Sequence, residues 1–196
     1  MEVFLMLVLS AQKYSTIKSI FNDSYIPNLW MSDNMFLSPK YTQGYSQHIK
    51  MLEKKCGVQR TVANGMYWCW VDNPYFSFYE KNWSKSLNDR LFACFIEIDE
   101  KDLVISDYDE YCDFINGEFS GNFFKSVDNI GMGECLQGVF CNLDKHAIKS
   151  IVDMDYLYAL EGFSIKTIFE LYLSKNQLYD FSKGIDNFYM EGLLST

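Results

Sequence analysis

Arg90-Leu91-Phe92-Ala93-Cys94-Phe95-Ile96-Glu97-Ile98, with the turn Asp99-Glu100-Lys101-Asp102 and the apolar run Leu103-Val104-Ile105, decides the fold class. The first segment is rich in aromatic and β-branched residues and is bounded by charged residues, which predicts a strand. The second is a short strand after a tight turn. Ser106 then predicts a helix N-cap, with Asp107, Asp109 and Glu110 in the first turn, where the helix dipole favours negative charge. Asn116-Gly117 predicts the end of that helix.

Upstream, Val3-Phe4-Leu5-Met6-Leu7-Val8-Leu9 carries Glu2 instead of a basic leader and is too short to cross a bilayer. It predicts a buried strand running to Ser10, with a helix over Ala11–Phe21 and a second helix over Tyr45–Cys56. In the second, Ile49 and Leu52/Met51 point inward and Lys50, Lys54 and Lys55 outward. Met66–Val71 predicts a strand that puts Trp68 and Trp70 on one face. Downstream, Leu136–Leu143 and Ile148–Val152 predict strands, and Ser164–Leu173 and Asn176–Met190 predict helices. Strands and helices mix without regular βαβ alternation. The expectation is a single α+β domain, its mixed or antiparallel sheet flanked by helices: a core over 1–152 and a helical extension over 153–196 packed on it.

Composition narrows the function classes. At 196 residues with 48% hydrophobic content, the chain can bury a sizeable core. The net charge of −9 is uneven: residues 1–94 carry ten Lys/Arg against seven Asp/Glu, residues 95–161 four against fifteen, and residues 162–196 three against four. An acidic middle argues against general nucleic-acid binding, which needs basic clusters to neutralise phosphate. It suits docking on a basic protein surface, and equally a solvated face that keeps the chain soluble. The aromatic content of 17% leaves rings for a stacking pocket or a partner surface.

The six cysteines (Cys56, Cys69, Cys94, Cys112, Cys135 and Cys141) include no CxxC pair. The two histidines, His48 and His146, stand at no ligand spacing from them, so no zinc site is expected. Cys69 and Cys94 sit inside apolar runs, the setting of reduced, buried thiols in a cytoplasmic protein. Both histidines read as surface residues. No phosphate loop, GxSxG elbow, HExxH or dinucleotide fingerprint occurs. A magnesium-dependent nuclease built on the carboxylates lacks the basic track it would need. The informative polar residues stand at strand ends: Gln12 after the first strand, Arg90 before the strand it opens, Ser106-Asp107 after another. Gln137 lies inside an apolar strand, where its amide must find a backbone partner or face a pocket.

These segments resemble the bacterial family called domain of unknown function 3841, over about residues 3–152. The matching pieces are Leu9-Ser10-Ala11-Gln12, Gly44-Tyr45 with Met51, Tyr67-Trp68-Cys69-Trp70, Arg90-Leu91 and Ile96-Glu97-Ile98. Leu103-Val104-Ile105-Ser106-Asp107-Tyr108, Ile115-Asn116 and Leu136-Gln137-Gly138-Val139-Phe140 follow in order. The chain departs where that family shows a Trp after the Ser-Asp motif; Tyr111 or Cys112 stands there. The family has no established activity, so the resemblance carries over positions and no mechanism.

A fainter likeness is to the layout of ADP-ribosyltransferase-like domains. It implies NAD as cofactor and a protein or nucleic-acid target, with Gln12 and Tyr45 holding NAD and Glu134 or Gln137 in the late catalytic position. A Gln there cannot supply the negative charge that steadies an oxocarbenium-like transition state. The expectations are therefore two. The first is a non-catalytic bacterial or phage interaction protein, such as an inhibitor of a host or defence complex. It needs no cofactor and meets a basic protein surface through Asp107, Asp109, Glu110 and Asp113. The second is the NAD-using enzyme, with Gln12, Tyr45, Trp70, Arg90 and Asp107 about the substrate and Glu134 and Gln137 catalytic.

Overall fold

The computed structural model describes residues 5–13, 17, 39–56, 66–71, 91–130, 134–141, 145–153 and 164–173. Within them the chain forms strands β1 (Leu5–Lys13), β2 (Met66–Val71), β3 (Leu91–Asp99), β4 (Leu103–Asp107), β5 (Phe124–Lys125), β6 (Leu136–Cys141) and β7 (Ile148–Asp153). Helices α1 (Pro39–Cys56), α2 (Tyr108–Asn116) and α3 (Ile165–Leu173) accompany them. The seven strands form one sheet in the order β5-β4-β6-β2-β1-β3-β7. Every neighbouring pair is antiparallel. The α+β expectation holds, and the sheet is antiparallel.

β1 and β3 pair over nine residues, from Leu5 opposite Asp99 to Lys13 opposite Leu91. That ladder is why Ala11–Lys13 are strand and not the start of a helix. Each residue added to it satisfies a backbone donor or acceptor that an incipient helix turn leaves open. The tight turn between β3 and β4 is a short 3₁₀ segment, Glu100–Asp102, capped by the Asp99 side chain accepting from the Lys101 N–H at 3.1 Å.

The period-2 alternation of the strands divides the sheet into two faces. One face gathers Val8, Tyr67, Cys69, Val71, Phe92, Cys94, Ile96, Leu103, Ile105, Leu136 and Phe140 into the largest buried cluster. The opposite face carries Val104, Val139 and Trp68, on which Tyr45 and Leu52 of α1 pack. Further along that face α3 lies against β1, with the Phe169 ring 5.6 Å from that of Phe95.

α1 is longer than its sequence pattern suggested. It begins at Pro39, whose missing N–H costs nothing in a first turn. Leu52 points inward as expected, whereas Met51 is 38% exposed. His48 corrects the reading of a surface histidine: it is wholly buried. Its position, three residues after Tyr45 and four before Leu52, puts it on their stripe. At the far end of β4, Ser106 belongs to the strand, and Asp107 caps α2 by accepting from the Glu110 N–H at 2.9 Å. α2 ends as expected, at Gly117 in the left-handed region with φ 83°. No helix among the described residues is long and apolar enough to cross a membrane.

Candidate functional site

The antiparallel register brings three polar or aromatic residues into one row on the face covered by α1. Ser106 of β4 stands opposite Gln137 of β6, which stands opposite Trp70 of β2. The neighbouring row, Val104-Val139-Trp68, lies beneath α1. Tyr108, the first residue of α2, sets its ring 5.2 Å from Trp70 at an interplanar angle of 63°, an edge-to-face arrangement. Both rings are half-buried.

Ser106 is tied to α1. Its Oγ lies 2.8 Å from His48 Nε2, and His48 Nδ1 lies 2.9 Å from the Gly44 carbonyl oxygen. A carbonyl only accepts, so Nδ1 carries the proton, Nε2 accepts, and the Ser106 hydroxyl donates to it. The imidazole stands among the rings of Trp68, Phe124, Tyr111 and Phe123 at 4.8, 5.0, 5.2 and 5.4 Å. Burial in that cage pushes its pKa down to about 4, partly opposed by the bond to Gly44. This is the hydrogen-bond order of a nucleophile and its base. Both residues are wholly buried, however, and the pair acts as a tie between helix and sheet.

Gln137 differs from its neighbours. It is 6% exposed, and its buried Nε2 has no hydrogen-bond partner among the described residues. That Nε2 is a donor and needs an acceptor; the Oγ of the neighbouring Ser106, bonded to His48, keeps lone pairs but makes no bond to it.

The sequence-derived candidates fall into separate places. Tyr45, Trp70 and Gln137 share the α1-covered face, Tyr45 buried under the helix. Gln12 is on the other face, within β1 and not after it, opposite Phe92, where its Nε2 donates to Ser10 Oγ at 2.8 Å. Asp107 also faces that side, at the far end of the sheet from Gln12 and three strands away. The sheet therefore separates Gln12 from Tyr45 and Gln137. Arg90 lies outside the described residues, as do the expected helix over Asn176–Met190 and, apart from Ile17, the rest of the one over Ala11–Phe21.

Glu134 and Glu110 share one cation. Lys125 Nζ lies 3.2 Å from Glu110 Oε2 and 3.5 Å from Glu134 Oε1. Burial alone would lower the Lys125 pKa, but the bond to Glu110 and the charges of Glu110, Glu134 and Asp107 hold it above the ordinary lysine value. Asp109 and Asp113 point outward one turn apart on α2, whereas Tyr111 and Phe114 point inward. The Asp109 carboxyl is raised above the usual carboxylate range, first by partial burial and then by the charges of Asp107 and Asp113. Asp107, Asp109 and Asp113 make no ion pair among the described residues, whereas Glu97, Asp99, Glu110 and Glu134 each have a lysine.

Sequence reasoning missed His48, Tyr108 and Lys125. The apolar stripe Tyr45-His48-Leu52 was the available signal for the first. Tyr108 and Lys125 gain their roles from tertiary contacts, the first with Trp70 of β2 and the second with Glu110 of α2 and Glu134. Among the described residues no group of His, Cys, Asp and Glu could hold a metal ion. No family model, curated protein or solved structure matches the chain.

Proposed function

We propose that this chain is a non-catalytic interaction protein that docks a basic protein surface through the outer face of α2. One observation carries the reading: Asp109 and Asp113 are exposed and adjacent beside the capping Asp107, with no lysine or arginine paired to them among the described residues, whereas Glu97, Asp99, Glu110 and Glu134 each have one. Clustered carboxylates repel one another, and a cationic partner relieves that repulsion as it binds. The surrounding segment, residues 95–161, carries fifteen acidic residues against four basic ones, a field that steers such an encounter from a distance. Of the four residues expected to meet the partner, Asp109 and Asp113 present their charge directly. Asp107 serves the helix as its cap, and Glu110 is neutralised by Lys125. Such a protein would act by occupying the basic face of its target, as an inhibitor of a host or defence complex would. No cofactor enters this reading.

The test is the double charge reversal Asp109→Lys with Asp113→Lys, which leaves the cap and the core untouched. Wild-type protein should recover a partner from its native host at low salt, lose it at high salt, and crosslink to it through α2. The reversed variant should recover none. Equal recovery by both proteins, or crosslinks that avoid α2, would overturn the proposal.

A further inference from the structure

The unmet amide of Gln137 beside an aromatic pair is unlike anything else on the described part of the sheet. A buried amide N–H without a partner costs free energy comparable to a lost hydrogen bond, and native proteins keep few of them. That N–H needs an acceptor, and neither flanking side chain serves as one: the indole of Trp70 can donate but not accept, and the Ser106 Oγ, bonded to His48, makes no bond to it. The strand register forces this: Gln137 is held between Ser106 and Trp70 on the α1-covered face. Trp70 and Tyr108, 5.2 Å apart, are half-buried and add a flat apolar wall to the same spot.

An amide presents a donor and an acceptor side by side in one plane. Its complement is another amide edge, and an aromatic wall favours that edge on a flat ring. We infer that Gln137, Trp70 and Tyr108 form a recognition site for a small planar heterocycle bearing a lactam or carboxamide edge, such as a uracil- or guanine-type base or a pyridine carboxamide. The ring lies against Trp70 and Tyr108, and its carbonyl accepts from Gln137 Nε2. This site is independent of the α2 docking face: it uses neither Asp109 nor Asp113, and neither reading needs the other.

The test exploits what an unsatisfied group does to stability. Gln137→Leu removes the amide and keeps most of the volume, so in the ligand-free protein it should raise the melting temperature. Ligand-observed NMR with uridine, guanosine and nicotinamide at millimolar concentration should show wild-type binding by at least one of them. Gln137→Leu should weaken that binding about tenfold, the worth of one hydrogen bond in a dry site. Trp70→Leu should weaken it as well, and acetamide, which has the edge without the ring, should not bind. Three results would overturn the inference: no wild-type binding to any of the three probes, binding unchanged in Gln137→Leu, or acetamide binding as well as the rings. A Gln137→Leu protein that melts lower than wild type, or fails to fold, would show that the amide is already satisfied and would overturn it too.

Discussion

The Oγ of Ser106 donates to Nε2 of His48 across 2.8 Å, joining the end of β4 to the middle of α1 through the one buried histidine of the described structure. Because His48 Nδ1 is committed to the Gly44 carbonyl, the ring must stay neutral for the pair to persist.

Acid should therefore loosen the fold through His48. Its pKa falls from 6.5 to about 4 on folding. Above the unfolded value the ring is neutral in both states, and its contribution is fully present. As pH falls from 6.5 towards 4 the unfolded chain takes up a proton that the folded chain refuses, so stability is lost through that window. The total loss from this group is about 3 kcal/mol. Urea unfolding at stepped pH should show it in wild type, and a folded His48→Gln variant should show a flatter profile over the same range. Parallel profiles would mean that another group titrates.

The cap of α2 gives a second measurement. Asp107→Ala leaves the Glu110 N–H without its acceptor and should cost about 1 kcal/mol, whereas Asp107→Asn, an equally good cap, should stay near wild type. Chemical denaturation of the two variants separates the capping role from the charge. An Asn variant as unstable as the Ala one would place the role in the charge instead.

Gly138 sits where β6 passes β2 and β4. A Cβ there would approach Leu103 Cδ1 at 2.9 Å and both Cys69 Sγ and Val71 Cγ2 at 3.2 Å. Gly138→Ala should lower stability by about 1–3 kcal/mol through overpacking, despite the entropy that alanine removes from the unfolded chain. A melting temperature at or above wild type would show that the cluster has room to give.

Thiol chemistry should sort by burial. Cys69 and Cys94 are free and buried, with their pKa values pushed up by desolvation. Cys135, half-buried beside Asp109 and Asp107, is pushed up to about 12. Peptide-mapped alkylation of the native protein at neutral pH should leave Cys69 and Cys94 unmodified until denaturant is added, with Cys135 reacting slowly. Rapid native labelling at Cys94 would mean that β3 opens readily.

Local chemistry was enough for much of the fold. The apolar run over 91–98, the Asp-rich turn and the acidic first turn of α2 each follow from propensity and capping within a few residues, and they appear where expected. The stop at Gly117 and the shared face of Trp68 and Trp70 are of the same kind. Burial of Cys69 and Cys94 could be read from their apolar neighbours. What sequence alone determined is thus the α+β class, most element positions and the acidic character of residues 95–161.

Only the tertiary structure decided the rest, because it depends on partners distant in sequence. The β1–β3 ladder turned Ala11–Lys13 from predicted helix into strand and put Gln12 on the face opposite Gln137. Register across β4, β6 and β2 set Ser106, Gln137 and Trp70 in one row, residues separated by up to 67 positions in the chain. His48 became a core residue because a helix stripe met a sheet that supplied a hydroxyl and four aromatic rings. A one-residue slip in any of those ladders would turn the same side chains to the other face. Nothing in a short window of sequence encodes that choice.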